Sequence, residues 1–134
     1  MTPVPVTLAA AAACTLLNIW LGSRIAKLRV EYKVSVGDGG HETLLRRMRA
    51  QANFIENAPF VLILLGGLEI SGAYRPGLAL IATIFIFARI AHGIGMDAAE
   101  LRRWRRVGMI SSALATLALL IWAIVCVAGF CLGR

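Results

Sequence analysis

The sequence predicts an all-α integral membrane protein, a bundle of four transmembrane helices in one domain spanning residues 1–134. Hydrophobic residues make up 59% of the 134, and the mean hydropathy is +0.77. The apolar residues fall into four continuous stretches, each close to the roughly 20 residues a helix needs to cross about 30 Å of hydrocarbon. These stretches are rich in Ala and Leu and lack the alternation expected of membrane-barrel strands.

The first span is Val4 to Ser23. No basic residue precedes its apolar core, which favours a retained span over a cleaved signal peptide. The segment Val36-Gly-Asp-Gly-Gly-His41 that follows is turn-rich: Gly37, Gly39 and Gly40 permit positive φ, and Asp38 favours a turn. It lacks the Lys-Ser/Thr of a phosphate loop and the spacing of a dinucleotide fingerprint. Glu42 and Thr43 then open a helix expected to run on through the second span, Phe54 to Ile70, with Pro59 expected to kink it. The connection Ser71 to Pro76 is short, so spans two and three should be antiparallel neighbours. Gly77 to Met96 is the third span and Val107 to Leu132 the fourth.

The net charge of +7 is unevenly distributed. Arg24, Lys27, Arg29, Lys33, Arg46, Arg47 and Arg49 lie between spans one and two. Arg102, Arg103, Arg105 and Arg106 lie between spans three and four, against Arg75 and Arg134 on the opposite side. By the positive-inside rule both basic loops are cytoplasmic and both termini lie outside, in what is expected to be a bacterial inner membrane. Orientation and contact with anionic lipid headgroups account for the high pI without nucleic-acid binding.

Polar residues at the start of the second span mark the candidate site. Arg49, Asn53, Glu56 and Phe60 recur at i, i+4, i+7 and i+11, stacking along one helical face. Gln51 falls on the far side, where it can meet a neighbouring helix or subunit. On the third span Arg89, His92 and Met96 follow the same rule, so two polar helix faces are expected to meet under the basic 102–106 loop. Charged groups in a membrane helix cost roughly 2.5 to 3.5 kcal/mol and are expected to face a bundle interior. Several arginines with one carboxylate suit a mainly anionic ligand that also carries an ammonium, such as a zwitterionic peptide. The alternative is that Glu56 pairs with Arg49 or Arg89 simply to neutralise the bundle.

The run Arg49-Ala50-Gln51-Ala52-Asn53 with Glu56 and Pro59 resembles the second-helix signature of the MAPEG family, the membrane-associated proteins in eicosanoid and glutathione metabolism. Phe87-Ala88-Arg89 followed by Gly95 is similar to the family's third-helix motif. The resemblance covers nearly the whole chain. It implies a homotrimer of four-helix protomers with glutathione bound between subunits toward the cytoplasm, and a glutathione transferase, with or without peroxidase activity, acting on an apolar electrophile. It assigns Arg49, Asn53 and Glu56 to glutathione, Gln51 to the same ligand from the neighbouring subunit, and Arg89 to supporting the pocket. Arg29 would reach the ligand's carboxylates, with Arg24 the alternative if the register shifts. Arg103 has the spacing of the arginine that holds the thiolate, and Arg105 or Arg106 are its alternates.

The chain departs from eukaryotic members, which it resembles otherwise, in having Asn57, His92 and Met96 where they have tyrosines. Asn57 and His92 can still hydrogen-bond glutathione; Met96 cannot replace a phenol hydroxyl. Binding is thus better supported than catalysis, and a non-catalytic glutathione- or lipid-binding protein is the alternative. A small multidrug-type exporter, also of four spans, depends on a carboxylate in its first helix, and Val4 to Ser23 has none.

The remaining residues read as structural. Cys14, Cys126 and Cys131 form no CxxC pair and suit packing. His41 has no partner at metal-ligand spacing, and no metal site is expected. Glu69 should snorkel toward Arg75 or water. Trp20, Trp104 and Trp122 suit interfaces or packing, and Gly66-Gly67 close helix approach.

Overall fold

Four long helices carry the chain: α1 (Pro5–Tyr32), α2 (Glu42–Ile70), α3 (Arg75–Gly95) and α4 (Arg102–Cys131), with a 3-10 turn at Ala99–Leu101 before α4. The computed structural model describes residues 3–97 and 99–133, so Arg134 lies outside the described residues. Each helix is long and apolar enough to cross a membrane. The protein is a four-helix membrane bundle.

The helices overrun the apolar stretches toward the basic side. α1 continues past Ser23 to Tyr32, and α2 begins at Glu42, well before Phe54. Arg, Lys, Leu and Glu are good helix formers, and a nucleated helix propagates through them at little cost. The same reason corrects the expected 102–106 loop: Arg102 to Arg106 are the first turns of α4. α2 also runs unbroken through Pro59. The loop between α1 and α2 bears out its glycine reading, with φ of 72°, 59° and 80° at Gly37, Gly39 and Gly40. Asp38 accepts a hydrogen bond from the Gly40 N–H at 3.2 Å.

The core runs through the bundle centre: Leu17 and Leu21 of α1, Phe54, Val61 and Leu65 of α2, Leu78 and Phe85 of α3, and Leu119 of α4. α3 packs most extensively on α4, and α1 on α2; α2 and α3, joined by residues 71–74, also touch. The closest approaches are made by Gly95 and Gly108, not by Gly66-Gly67 as expected. A Cβ on Gly95 would lie 2.1 Å from the Arg105 backbone nitrogen, and one on Gly108 would lie 2.4 Å from the Ala88 carbonyl oxygen. Among the described residues a Cβ on Gly66 would make only an ordinary contact with Thr7, and one on Gly67 would have nothing within 4 Å. Small residues let helix backbones meet where side-chain packing, not water, drives association. On α4 the buried Gly108, Ser112 and Ala115 form that seam.

Glu69 does not snorkel. It is 1% exposed, and its carboxylate accepts from the Val6 N–H at 3.0 Å and from the Thr7 N–H and hydroxyl, each at 2.8 Å. Pro5 needs no acceptor, so Glu69 satisfies the next two free N–H groups of α1 and its charge suits the positive end of that helix. The expected ion pair with Arg75 is present at 3.6 Å. The contact ties the ends of α1, α2 and α3 together opposite the basic face.

Trp20 packs over Gly93 and Trp122 over Gly77, as packing aromatics, while Trp104 is exposed. Cys14 is buried, Cys126 half-buried and Cys131 exposed, all with free thiols. His41 stacks on Tyr32 with ring centroids 4.1 Å apart.

Candidate functional site

Arg49, Asn53 and Glu56 share a face of α2, as their spacing requires, and beside them stand His92 of α3 and Met96, the residue that follows the last of that helix. The first turns of α4 bring Arg105, Arg106 and Met109 opposite them. Together with Ala52 these side chains line one cavity of about 290 Å³. That is just below the roughly 300–1,000 Å³ typical of small-molecule sites.

The wall holds three arginines and one carboxylate, an excess of two formal positive charges with His92 neutral. Glu56 forms no ion pair within 4 Å among the described residues, and neither do Arg49, Arg89, Arg105 and Arg106. The internal neutralisation weighed from the sequence is therefore not how this protomer is built. Arg49 and Glu56 are exposed on the protomer, whereas His92 is 7% and Arg89 4% exposed. Arg89 sits behind the cavity. Its Nη1 donates to Asn53 Oδ1 at 2.7 Å and its guanidinium carbon lies 5.3 Å from the Phe85 ring centre. Asn53 is thus oriented by a buried cation, its oxygen turned to Arg89. The Arg89 Nε is buried and has no hydrogen-bond partner among the described residues.

Several residues that the resemblance assigns to the ligand do not line this protomer's cavity. Gln51 donates to Asn18 Oδ1 on α1 at 3.2 Å, so the far side of α2 finds its polar partner within the same chain. Asn57 donates back to the Asn53 carbonyl at 2.7 Å and does not line the cavity. Arg29 is turned toward its own loop, donating to the Ser35 carbonyl at 3.0 Å and lying 3.6 Å from the Met48 sulfur. Arg103 is absent from the cavity wall. In a helix that starts at Arg102, Arg105, Arg106 and Met109 project to one side, and each residue turns by about 100°, which carries Arg103 off that side. Phe60, stacked above Glu56, is 66% exposed and also outside the cavity.

Sequence reasoning missed a polar cluster beside the cavity. Asp97, in the turn after α3, accepts through Oδ1 from Arg24 Nη2 and, at 3.0 Å, from Arg47 Nε. Arg24 also donates to the Gly93 carbonyl at 3.3 Å and lies 4.4 Å over the Trp20 ring. Arg47 also donates to the Arg24 carbonyl at 3.1 Å. A signal existed, because Asp97 is the first acidic residue after Glu69 and stands next to Met96 at the end of a span. Its partners, distant in sequence, could not be read.

The MAPEG family model matches residues 7–125. Among curated relatives, the inner membrane protein YecN of Escherichia coli K12 and that of Escherichia coli O6:H1 are each 32% identical over 85 residues. The match covers 63% of this chain and 64% of each relative's length.

Proposed function

This chain belongs to the MAPEG family, and on that premise we propose that it is a membrane-bound glutathione transferase whose cavity opens toward the cytoplasm. The observation that carries the reading is the convergence of Arg49, Asn53, Glu56, His92, Arg105 and Arg106 on one cavity. Glutathione has two carboxylates and one ammonium, and the wall offers three guanidinium groups and one carboxylate, so the charges are complementary. Arg49 would pair with a ligand carboxylate, Glu56 with the ammonium, and His92 would offer a ring nitrogen.

Bound glutathione would supply a thiol nucleophile for an apolar electrophile drawn from the bilayer. The chain's part is to keep that thiol ionised. A free thiol titrates near 8.5, and a nearby permanent cation lowers that value. Arg105 and Arg106 are the cations available on α4.

If this reading holds, Glu56→Gln and Arg49→Ala each weaken glutathione binding by about tenfold or more, since a charge-assisted hydrogen bond contributes roughly 1.5–3 kcal/mol. Isothermal titration in detergent measures it. Unchanged affinity in both variants, with the assembly intact, would sink the assignment.

A homotrimer belongs to the same proposal. Arg49, Ala52 and Glu56 are exposed on the protomer within a membrane helix, and a charged group facing lipid is costly. A neighbouring copy over that face removes the cost and encloses a cavity that is small for a tripeptide. Native mass spectrometry in mild detergent should give trimers; monomers or dimers alone would contradict this.

A second reading is a glutathione binder without chemistry. No hydroxyl-bearing side chain lines the cavity among the described residues, and Met96 and Met109 stand on its wall. Binding without turnover of an aryl halide would favour it.

A further inference from the structure

We propose that Asp97 is a positioning residue: by holding Arg24 of α1 and Arg47 of α2, it fixes the end of α3 and so sets Arg105 and Arg106 over the cavity. The inference rests on the proposed function for its consequence but on the local geometry for its existence.

One carboxylate oxygen receives guanidinium groups from two helices. The side chains of Arg24 and Arg47 are 14% and 21% exposed and that of Asp97 is 31% exposed, so the cluster is only partly shielded by water. Two guanidinium groups this close repel each other unless an anion lies between them. Arg24 is further braced by the Gly93 carbonyl, one of the C-terminal α3 carbonyls without an intrahelical partner, where a cation is favoured. Arg47 closes the ring by donating to the α1 backbone at Arg24. The end of α3 is therefore tied to both α1 and α2.

That tie reaches the cavity by a short route. Gly95 is two residues before Asp97, and its Cα side abuts the backbone of Arg105: a Cβ there would meet the Arg105 nitrogen at 2.1 Å and its Cα at 2.6 Å. Met96, between Gly95 and Asp97, itself lines the cavity. A shift of the α3 end must move the first turns of α4, because backbones in contact leave no slack. Arg105 and Arg106 would then lose their aim while Arg49 and Glu56, on α2, keep theirs.

Asp97→Asn keeps the size of the side chain and removes the charge that separates the two arginines. Two readouts test the proposal. Amide hydrogen exchange of the purified protein in detergent, without ligand, should become about tenfold faster over residues 99–106 in Asp97→Asn, with exchange in the cores of α1 and α2 unchanged. Asp97→Glu should restore slow exchange. The second readout is the ultraviolet absorbance of the thiolate of bound glutathione against pH. In Asp97→Asn its midpoint should rise by about one pH unit, a tenfold fall in the thiol's ionisation constant, while glutathione affinity changes less than about threefold. In an Arg105→Ala, Arg106→Ala background the same substitution should leave the midpoint where that background puts it.

Unaltered exchange over 99–106 in Asp97→Asn would overturn the proposal, as would an equal upward shift of the midpoint with and without the two arginines. Should Asp97→Asn fail to fold, Arg47→Gln, which removes one arm of the tie, is expected to give the same two changes, and their absence there is equally decisive. If the unmodified protein binds no glutathione, the proposed function fails, and the exchange experiment still decides whether Asp97 holds the turn.

Discussion

Gly108→Ala is expected to be among the most destabilising single substitutions in this chain. The added Cβ would stand 2.4 Å from the Ala88 carbonyl oxygen and 2.5 Å from the His92 nitrogen. Both are backbone atoms, and a rotamer change cannot relieve the clash. Alanine is the better helix former by about 1 kcal/mol, but overpacking of this kind costs typically about 1–3 kcal/mol and sometimes more. The clash is therefore expected to win, and since it pushes α4 from α3 next to His92, the proposed glutathione binding should fall as well. Thermal unfolding in detergent measures the first effect and calorimetric titration the second. Gly67→Ala, with nothing within 4 Å of the new Cβ, is expected to be neutral or slightly stabilising by the same helix propensity. Equal behaviour of the two variants would show that the α3–α4 seam is not closed by Gly108.

The second large effect is expected on chemistry. Arg105→Ala and Arg106→Ala remove the two α4 cations on the cavity wall. A cation within about 4–6 Å lowers the titration point of an acid by 1–3 pH units. If the protein is the transferase proposed above, losing the one that faces the sulfur should therefore cut thiolate at neutral pH by about tenfold or more and turnover by roughly 10². Arg103→Ala, whose side chain is off that wall, should leave both unchanged. The thiolate absorbance of bound glutathione reads the first quantity and conjugation of an aryl halide the second. Retention of the signal in the Arg105, Arg106 double variant would move thiol activation to His92 or leave the protein a binder.

At the start of α4, motif spacing and helix geometry part. The motif ranks Arg103 first by counting residues along an assumed loop. The structure begins α4 at Arg102, and a helix, unlike a loop, fixes the direction of each side chain by its place in the turn. Arg105 and Arg106, and not Arg103, therefore stand on the cavity wall, and the proposed role goes to them.

The sequence alone determined what depends on composition and on local periodicity. Four apolar stretches of membrane length required four spanning helices, because a backbone in hydrocarbon must satisfy its hydrogen bonds within each segment. The spacing of Arg49, Asn53 and Glu56 put them on one face of α2, since a helix repeats every 3.6 residues whatever surrounds it. The positive φ at Gly37, Gly39 and Gly40 was equally local. Only the tertiary structure decided which faces meet and which polar groups pair. Gln51 was free to meet any neighbour until α1 placed Asn18 beside it. Glu69 reads as an end-of-span carboxylate until the first turn of α1 arrives with two N–H groups in need of an acceptor. Asp97 has no local partner, and its two arginines come from helices far away in the chain. These contacts join residues separated by tens of positions, and the direction in which one helix crosses another is set by packing over its whole length, which no local pattern encodes.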